Sequence, residues 1–344
     1  MKMRGLLTLL CVMVLLSLLT TPSMAQVIKL TFADQNPTTG WGPTNAVQPW
    51  VKKVEEATKN RVKIDIFPAQ TLAKGPDIWN AVKSGVADMG WCWHGYWPDM
   101  TPLSDILHLP GLSFKSAEQA SEVLWRLYEK FPAIQREYKD FQLLLLYAGD
   151  PRFLITNKKQ IKTLEDIKGM KMRTPGGPPT DQMKALGAVP VLIPMPDVYQ
   201  SLDKGVVDGN VISWEAIYSF RLYEVVKYYT FAPLTSTYFS IPMNKQKWES
   251  LPKDIQEAIM SVSGLEAAKF WGRNFFDTVE SAVMDNAKKG GYTMIRYNLP
   301  PEEVERWVRV SGEPVWKEWV KKMEGKGRPE AQQILNAALE MLKK

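Results

Sequence analysis

The sequence predicts an α/β protein of two lobes. Each lobe is a mainly parallel sheet flanked by helices, with strands crossing between the lobes and helices closing the C-terminus. Three observations carry this expectation. The first is an internal repeat: Pro76-Asp77-Ile78-Trp79-Asn80-Ala81-Val82-Lys83-Ser84-Gly85-Val86-Ala87-Asp88 returns 120 positions later as Pro196-Asp197-Val198-Tyr199-Gln200-Ser201-Leu202-Asp203-Lys204-Gly205-Val206-Val207-Asp208. The second is the alternation of period-2 and period-3.6 apolar patterns, which signals strand–helix–strand units and a parallel sheet. The third is Gly149-Asp150-Pro151, set between two apolar strand patterns as a crossing point.

Each repeat copy reads as a short helix, a glycine stop and a strand. Pro and Asp suit a first turn, where free N–H groups and the helix dipole favour them. Gly suits the left-handed residue that ends a helix. Val27 to Ala33 is a β-rich run, and Gly40-Trp41-Gly42-Pro43 a turn. Val47, Trp50, Val51, Val54 and Ala57 fall at helical spacing between Asn45 and Lys59. Val62, Ile64 and Ile66 alternate as in a half-buried strand. The first repeat copy then delivers Met89 to Trp93 as a third strand, and the βαβαβ order implies right-handed parallel connections.

Ser116 to Lys130 reads as an amphipathic helix and Leu143 to Ala148 as a central strand. Arg152 to Asn157 and Met170 to Thr174 are strands, and Pro178 to Leu186 is a helix. Tyr238 to Met243 carries the chain back to the first lobe. Ile255 to Ala287 reads as one long helix, followed by a short strand at Thr293 to Tyr297 and helices at Pro301 to Lys322 and Pro329 to Leu342. The expected division is residues 26–149 with about 238–285 for lobe one, and 150–237 with about 286–344 for lobe two and the C-terminal helices. Crossing strands imply hinge motion between the lobes.

Residues 1–25 read as a secretory leader. Lys2 and Arg4 precede an apolar run from Leu6 to Leu19, and Ser23-Met24-Ala25 is a small-x-small cleavage signal. Only Cys92 lies beyond it, flanked by Trp91 and Trp93, so no intrachain disulfide can form and a structural thiol is expected. The chain carries 43 basic and 37 acidic residues, a formal charge of +6. They are interspersed, without the basic run that tracks a phosphate backbone, so nucleic acid is not an expected partner.

Ligands of open α/β sheets bind beyond the carboxyl ends of strands. Three segments qualify: Trp91 to Trp97, Met170 to Gly177, and Asp208 to Glu215. In the second, Arg173 alternates with Met170, Met172 and Thr174 and runs into Pro175-Gly176-Gly177, which lets a ligand approach the backbone. Its guanidinium fork matches a carboxylate with two parallel hydrogen bonds, or it forms a salt bridge within the fold. Trp91, Trp93, Tyr96, Trp97 and Trp214 supply aromatic walls or core, and His94 beside Gly95 is a polar candidate. Two histidines and one cysteine do not make a zinc site without carboxylates, and no metal site is expected. No Gly-x-Ser-x-Gly elbow, Ser-x-x-Lys or dinucleotide fingerprint is present, and no nucleophile–base constellation argues for an enzyme. No cofactor is expected.

The chain resembles the solute-binding proteins of tripartite ATP-independent periplasmic (TRAP) transporters, the DctP-like family. The resemblance runs through Gly85 to Met89, Thr156-Asn157-Lys158, Leu164 to Pro175, Pro194 to Tyr199, Gly205 to Gly209, and Met243-Asn244-Lys245 with Trp248 and Leu251-Pro252. It implies a periplasmic-binding-protein-like fold that closes over an organic acid and docks onto a separate membrane permease. It places the carboxylate-clamping arginine at Arg173, a second arginine at Arg152, and pocket positions at Met195 and Tyr199. The candidate binding residues are thus Arg173, Arg152, Trp214, Trp91, Trp93, Met195, Glu215, Asn36 and His94. Asn210-Val211-Ile212 departs from the Gln-Glu-Asn of the sialic-acid members, which disfavours a sugar acid. The tryptophans favour a monocarboxylate with an aromatic or apolar body, or else a smaller cavity for a small acid or sulfonate. Some relatives bind a 2-oxo acid through a metal near a Trp-Glu pair, so Glu215 leaves that alternative open. A sensor that docks onto a signalling receptor is the competing role. A monomer is expected, with the C-terminal helix as a means of dimer formation.

Overall fold

The computed structural model describes residues 27–112 and 114–343. The expected leader lies outside them. Two six-stranded sheets organise the chain. The first is built from β1 (Ile28–Ala33), β2 (Val62–Phe67), β3 (Met89–Gly90), β4 (Cys92–Trp93) and β5 (Phe141–Ala148). The chain then crosses to the second sheet for β6 (Phe153–Thr156), β7 (Lys171–Thr174), β8 (Val189–Leu192), β9 (Gly209–Ile212) and β10 (Tyr228–Phe231). It returns through β11 (Tyr238–Asn244), which pairs with β3, β4 and β5, and completes the second sheet with β12 (Ile295–Asn298).

The sheets are mixed rather than mainly parallel. β1 pairs in parallel with β2 and β3, as β7 does with β8 and β9. The antiparallel pairs of β11 with β3, β4 and β5, and of β6 with β9 and β10, come from the crossing strands, which enter each sheet from the opposite direction. The two crossings are bonded to each other: Gly149 N donates to Thr237 O (2.8 Å) and Arg152 N to Thr235 O (3.0 Å).

The repeat is structural. Each copy is a 3-10 turn leading into a short helix, Gly75–Asp77 into Ile78–Ser84 and Met195–Asp197 into Val198–Asp203. Gly85 (φ +79°) and Gly205 (φ +68°) follow in the left-handed region that only glycine enters freely. Asp88 then accepts a hydrogen bond from Thr31 N on β1 (2.8 Å), and Asp208 accepts one from Lys171 N on β7 (2.8 Å). In each lobe the repeat thus ties its strand to the parallel neighbour.

Helix breaks differ from the sequence pattern. The stretch 255–287 is not one helix but Lys253–Ser261, Gly264–Gly272 and Glu280–Lys289, because Gly264 adopts φ +76° and a π turn at Arg273–Asp277 resets the axis. Likewise 301–322 divides at Gly312 into Pro301–Ser311 and Glu313–Gly325. The last helix, Ala331–Leu342, packs on Ala117–Lys130 of the first lobe.

One large apolar core runs through the first sheet and the near face of the second, with Trp50, Tyr147, Tyr238 and Trp271 almost fully buried. A smaller one, around Met172, Met183, Val211 and Trp307, lies under the far face of the second sheet. Cys92 is a buried free thiol whose pKa burial pushes up.

Candidate functional site

A small cavity lies between the sheets. β1 ends at its wall with Gln35 and Asn36, and the segment after β3 adds Trp91 and Trp93. From the second lobe come Arg173 at β7, Met195 at the start of the second repeat copy, Ile212 of β9, and Ser213, Glu215 and Ala216 at the start of the next helix. Arg152 enters from one crossing segment, Phe239 from β11, and Phe220 and Phe276 close the remaining sides.

Two guanidinium groups face this space from buried positions. Arg173 is 1% exposed; its Nε donates to Ile193 O (2.9 Å), while Nη1 has no partner. Arg152 is 5% exposed; its Nη1 donates to Val211 O (3.1 Å), while Nε has no partner. Among the described residues neither forms an ion pair with an acid. Their carbons lie 4.9 and 5.5 Å from the Trp93 ring, which both share as a cation–π face. Burial lowers the pKa of Arg173 to about 10. Burial and then the neighbouring Arg173 charge lower that of Arg152 to about 9, with Asp150 opposing. Both therefore stay cationic at neutral pH. An unpaired buried charge costs several kcal/mol, on the order of a single core truncation or more, and an entering anion removes that cost.

The aromatic walls are pinned by their polar edges. Trp91 Nε1 donates to Tyr147 Oη (2.7 Å) and Trp93 Nε1 to Thr237 Oγ1 (2.7 Å). Phe239 packs on Trp91 with ring centroids 4.8 Å apart. Contacts span the cleft: Met195 N donates to Tyr96 Oη (3.0 Å), which donates to Gln35 Oε1 (2.7 Å), and Gly176 N donates to Gly95 O (2.9 Å). A Cβ on Gly95 would lie 2.6 Å from Pro175 Cβ, so glycine there permits the approach of the lobes. Trp41 N donates to Ser219 Oγ (3.0 Å), a further bond across the cleft.

Each wall also holds a buried acid. Glu215 accepts from Ser219 Oγ and Gly42 N, and burial raises its pKa to about 7. Asp34 accepts from Asn36 N (2.8 Å) and Asn36 Nδ2 (2.9 Å) on Oδ1, leaves Oδ2 without a partner, and is likewise raised to about 7 by burial.

Seven of the nine candidates, Arg173, Arg152, Trp91, Trp93, Met195, Glu215 and Asn36, line the cavity together. Two do not, and these expectations are corrected. Trp214 points into the second lobe, stacked on Tyr229 at 5.7 Å and packed on Phe153 at 4.5 Å, because Ser213 starts a helix there and successive residues turn to different sides. His94 is sealed behind the wall, stacked on Tyr238 and bonded through its two ring nitrogens to Thr101 Oγ1 and Ser240 Oγ (2.8 Å each). Burial holds its pKa well below the usual histidine value. Tyr199, the family's aromatic position, donates to Glu224 (3.0 Å) outside the cavity. With Trp214 turned away, the Trp-Glu pair does not face the cavity together. Sequence reasoning missed Gln35, Phe239 and Phe276. Gln35 was within reach of the strand-end rule, whereas Phe276 reaches the site only through long-range packing.

Residues 37–322 match the family described as bacterial extracellular solute-binding protein, family 7 (DctP). A TRAP solute-binding protein from Rhodoferax ferrireducens T118, solved with copurified benzoate, is 28% identical with a TM-score of 0.86, over 92% of this chain and 98% of that one. A marine-metagenome TRAP solute-binding protein, described as specific for aromatic acid ligands and solved with 3-hydroxybenzoate, is 31% identical with a TM-score of 0.85 and the same coverage. A Bordetella bronchiseptica counterpart with bound (R)- and (S)-mandelate is 27% identical with a TM-score of 0.84, over 92% and 99%. With its two-sheet fold and interlobe cavity, the chain belongs to the DctP family and is a TRAP transporter solute-binding protein, not an enzyme.

Proposed function

We propose that the protein is a periplasmic receptor that captures an organic acid, a monocarboxylate with an aromatic or apolar body, and delivers it to the membrane permease of a TRAP transporter. The carrying observation is the pair of buried guanidinium groups, each with an N–H that lacks an acceptor and neither paired with an acid among the described residues. The acid's carboxylate bridges Arg173 and Arg152, taking charge-assisted hydrogen bonds in a site from which water is excluded. Trp91, Trp93 and Phe239 take the ligand body. Binding energy gained at the arginines holds the lobes together, and the bonds through Tyr96 and Gly95 complete closure. The bound acids of three relatives, benzoate, 3-hydroxybenzoate and mandelate, support the aromatic reading.

Calorimetric titration of the purified receptor with a panel of aromatic, aliphatic and 2-oxo monocarboxylates tests this. An aromatic acid should bind most tightly. Undiminished binding by Arg173→Ala would remove the clamp, and preference for a dicarboxylate or a sugar would remove the ligand class.

A further inference from the structure

The same cavity has a second pole, and its chemistry is the reverse of the first. The arginine pole offers donors that lack acceptors. At the other pole, Glu215 has one oxygen fixed by Ser219 Oγ and Gly42 N, and its other oxygen has no protein donor among the described residues. Asn36 spends its backbone N–H and an amide N–H on Asp34, and Asp34 Oδ2 still lacks a donor. Once Glu215 and Asp34 are ionised, acceptors are in excess there. Glu215, Arg152 and Arg173 line one cavity, and no ion pair joins the acid to either base among the described residues. The same cavity is lined by the apolar side chains of Trp91, Phe239, Phe276 and Ile212.

A ligand that brings only a carboxylate answers the arginines and leaves that oxygen of Glu215 without a donor. A buried acceptor left without a donor penalises that complex relative to one in which the ligand supplies a donor. We infer that Glu215 determines specificity at this pole, and that the preferred ligands are ring acids carrying a hydrogen-bond-donating substituent, a hydroxyl or an amino group, remote from the carboxylate. This rests on the carboxylate clamp proposed above and adds a residue and a ligand feature to it. Burial raises the Glu215 pKa to about 7, so above that pH its carboxylate is the acceptor that a neutral ligand donor meets.

The test is a calorimetric series at about pH 8, where Glu215 is ionised, on the purified receptor with benzoate and its 3- and 4-substituted hydroxy, amino and methoxy derivatives. At least one hydroxy or amino acid should bind fivefold or more tighter than benzoate, and the methoxy acid at the same ring position, which cannot donate, should lack the gain. In Glu215→Gln, whose amide nitrogen replaces the free oxygen, the preference for donor over methoxy should fall below twofold. Glu215→Asp, which withdraws the carboxyl by one methylene, provides a second variant if the first does not fold, and should weaken the preference in the same direction. Benzoate binding with no derivative reaching fivefold overturns the inference while leaving the clamp intact, and so does a preference that survives both substitutions. Failure of every acid in the series to bind overturns the clamp and the inference together.

Discussion

The two repeat copies build the same scaffold and load it differently. In the first lobe, β1 and β3 pair Phe32 with Met89 and Ala33 with Gly90; in the second, β7 and β9 pair Met172 with Gly209 and Arg173 with Asn210. The positions that hold Ala33 and Gly90 in one lobe hold Arg173 and Asn210 in the other. The turn, the helix, the left-handed glycine and the aspartate tie are common to both. Past the repeats, the first copy delivers Trp91 and Trp93, and the second delivers Ser213 and Glu215. A backbone module can thus be duplicated without its chemistry. On the proposed function, stability resides in the shared positions, and recognition in those where the copies part.

The sharpest way to break this comparison is to make the second lobe resemble the first. Arg173→Ala restores the alanine of the equivalent position. Removing one partner of a desolvated charge pair costs about 2–5 kcal/mol, so carboxylate affinity should fall by roughly 30-fold or more. The ligand-free protein should at the same time melt no lower than the parent, since a buried charge without a counter-ion is removed. Titration calorimetry and thermal melts read the two effects. A large loss of Tm with little change in affinity would make Arg173 a structural residue. Arg152→Ala should also weaken binding, by about tenfold or more, because each guanidinium spends one nitrogen on a backbone carbonyl and keeps the others for a ligand.

The same contrast explains what was legible in the sequence. The shared positions announce themselves because they recur: Pro, Asp, Gly and the final Asp sit at fixed spacing. Arg173 was legible because a short strand alternates around it and a Pro-Gly-Gly turn follows. Trp214 and His94 were misplaced for a common reason. Strand-end proximity does not say which way a side chain turns, and in both cases a local feature, the helix start at Ser213 and the Thr101–Ser240 bonds, drew the ring away from the cavity. Phe276 was invisible because a π turn between two helices aims it, and nothing near it in sequence marks the cavity. The helix break at Gly264 lay under a continuous amphipathic pattern, which dominates the reading until a positive φ is known.

The shared positions invite the converse test. Asp88 accepts from Thr31 N and Thr31 Oγ1, whereas Asp208 accepts from Lys171 N alone. A typical hydrogen bond contributes a net of about 0.5–1.5 kcal/mol, so Asp88→Ala should destabilise by about 2 kcal/mol and Asp208→Ala by about 1 kcal/mol. Denaturant midpoints should record this order, with Kd for the bound acid within twofold of the parent in both. A tenfold change in Kd from either would show that scaffold and recognition are not separate.

The smallest effect compares the acids of the two walls. Asp34, beyond β1, and Glu215, beyond β9, both have pKa values raised by burial to about 7, from ordinary values of 3.8 and 4.5. The folded state therefore holds protons at these sites that the unfolded chain releases between about pH 4 and 7. Stability from this source is fully present below the unfolded values and is lost as pH rises through 7. The ligand-free receptor should accordingly melt several degrees higher at pH 5 than at pH 8, given that 1 kcal/mol moves Tm by about 2–4 °C in a chain of comparable size. Asp34→Asn and Glu215→Gln should each flatten part of that slope, one from each lobe. The slope should not vanish in the double variant, because burial also raises Glu137 to about 7 and Asp150 to about 8. If Tm instead rises from pH 5 to pH 8 in the parent, the buried acids are ionised in the folded state and the two walls carry fixed negative charge, which would leave the arginines opposite them far less free for a ligand than their unpaired N–H groups imply.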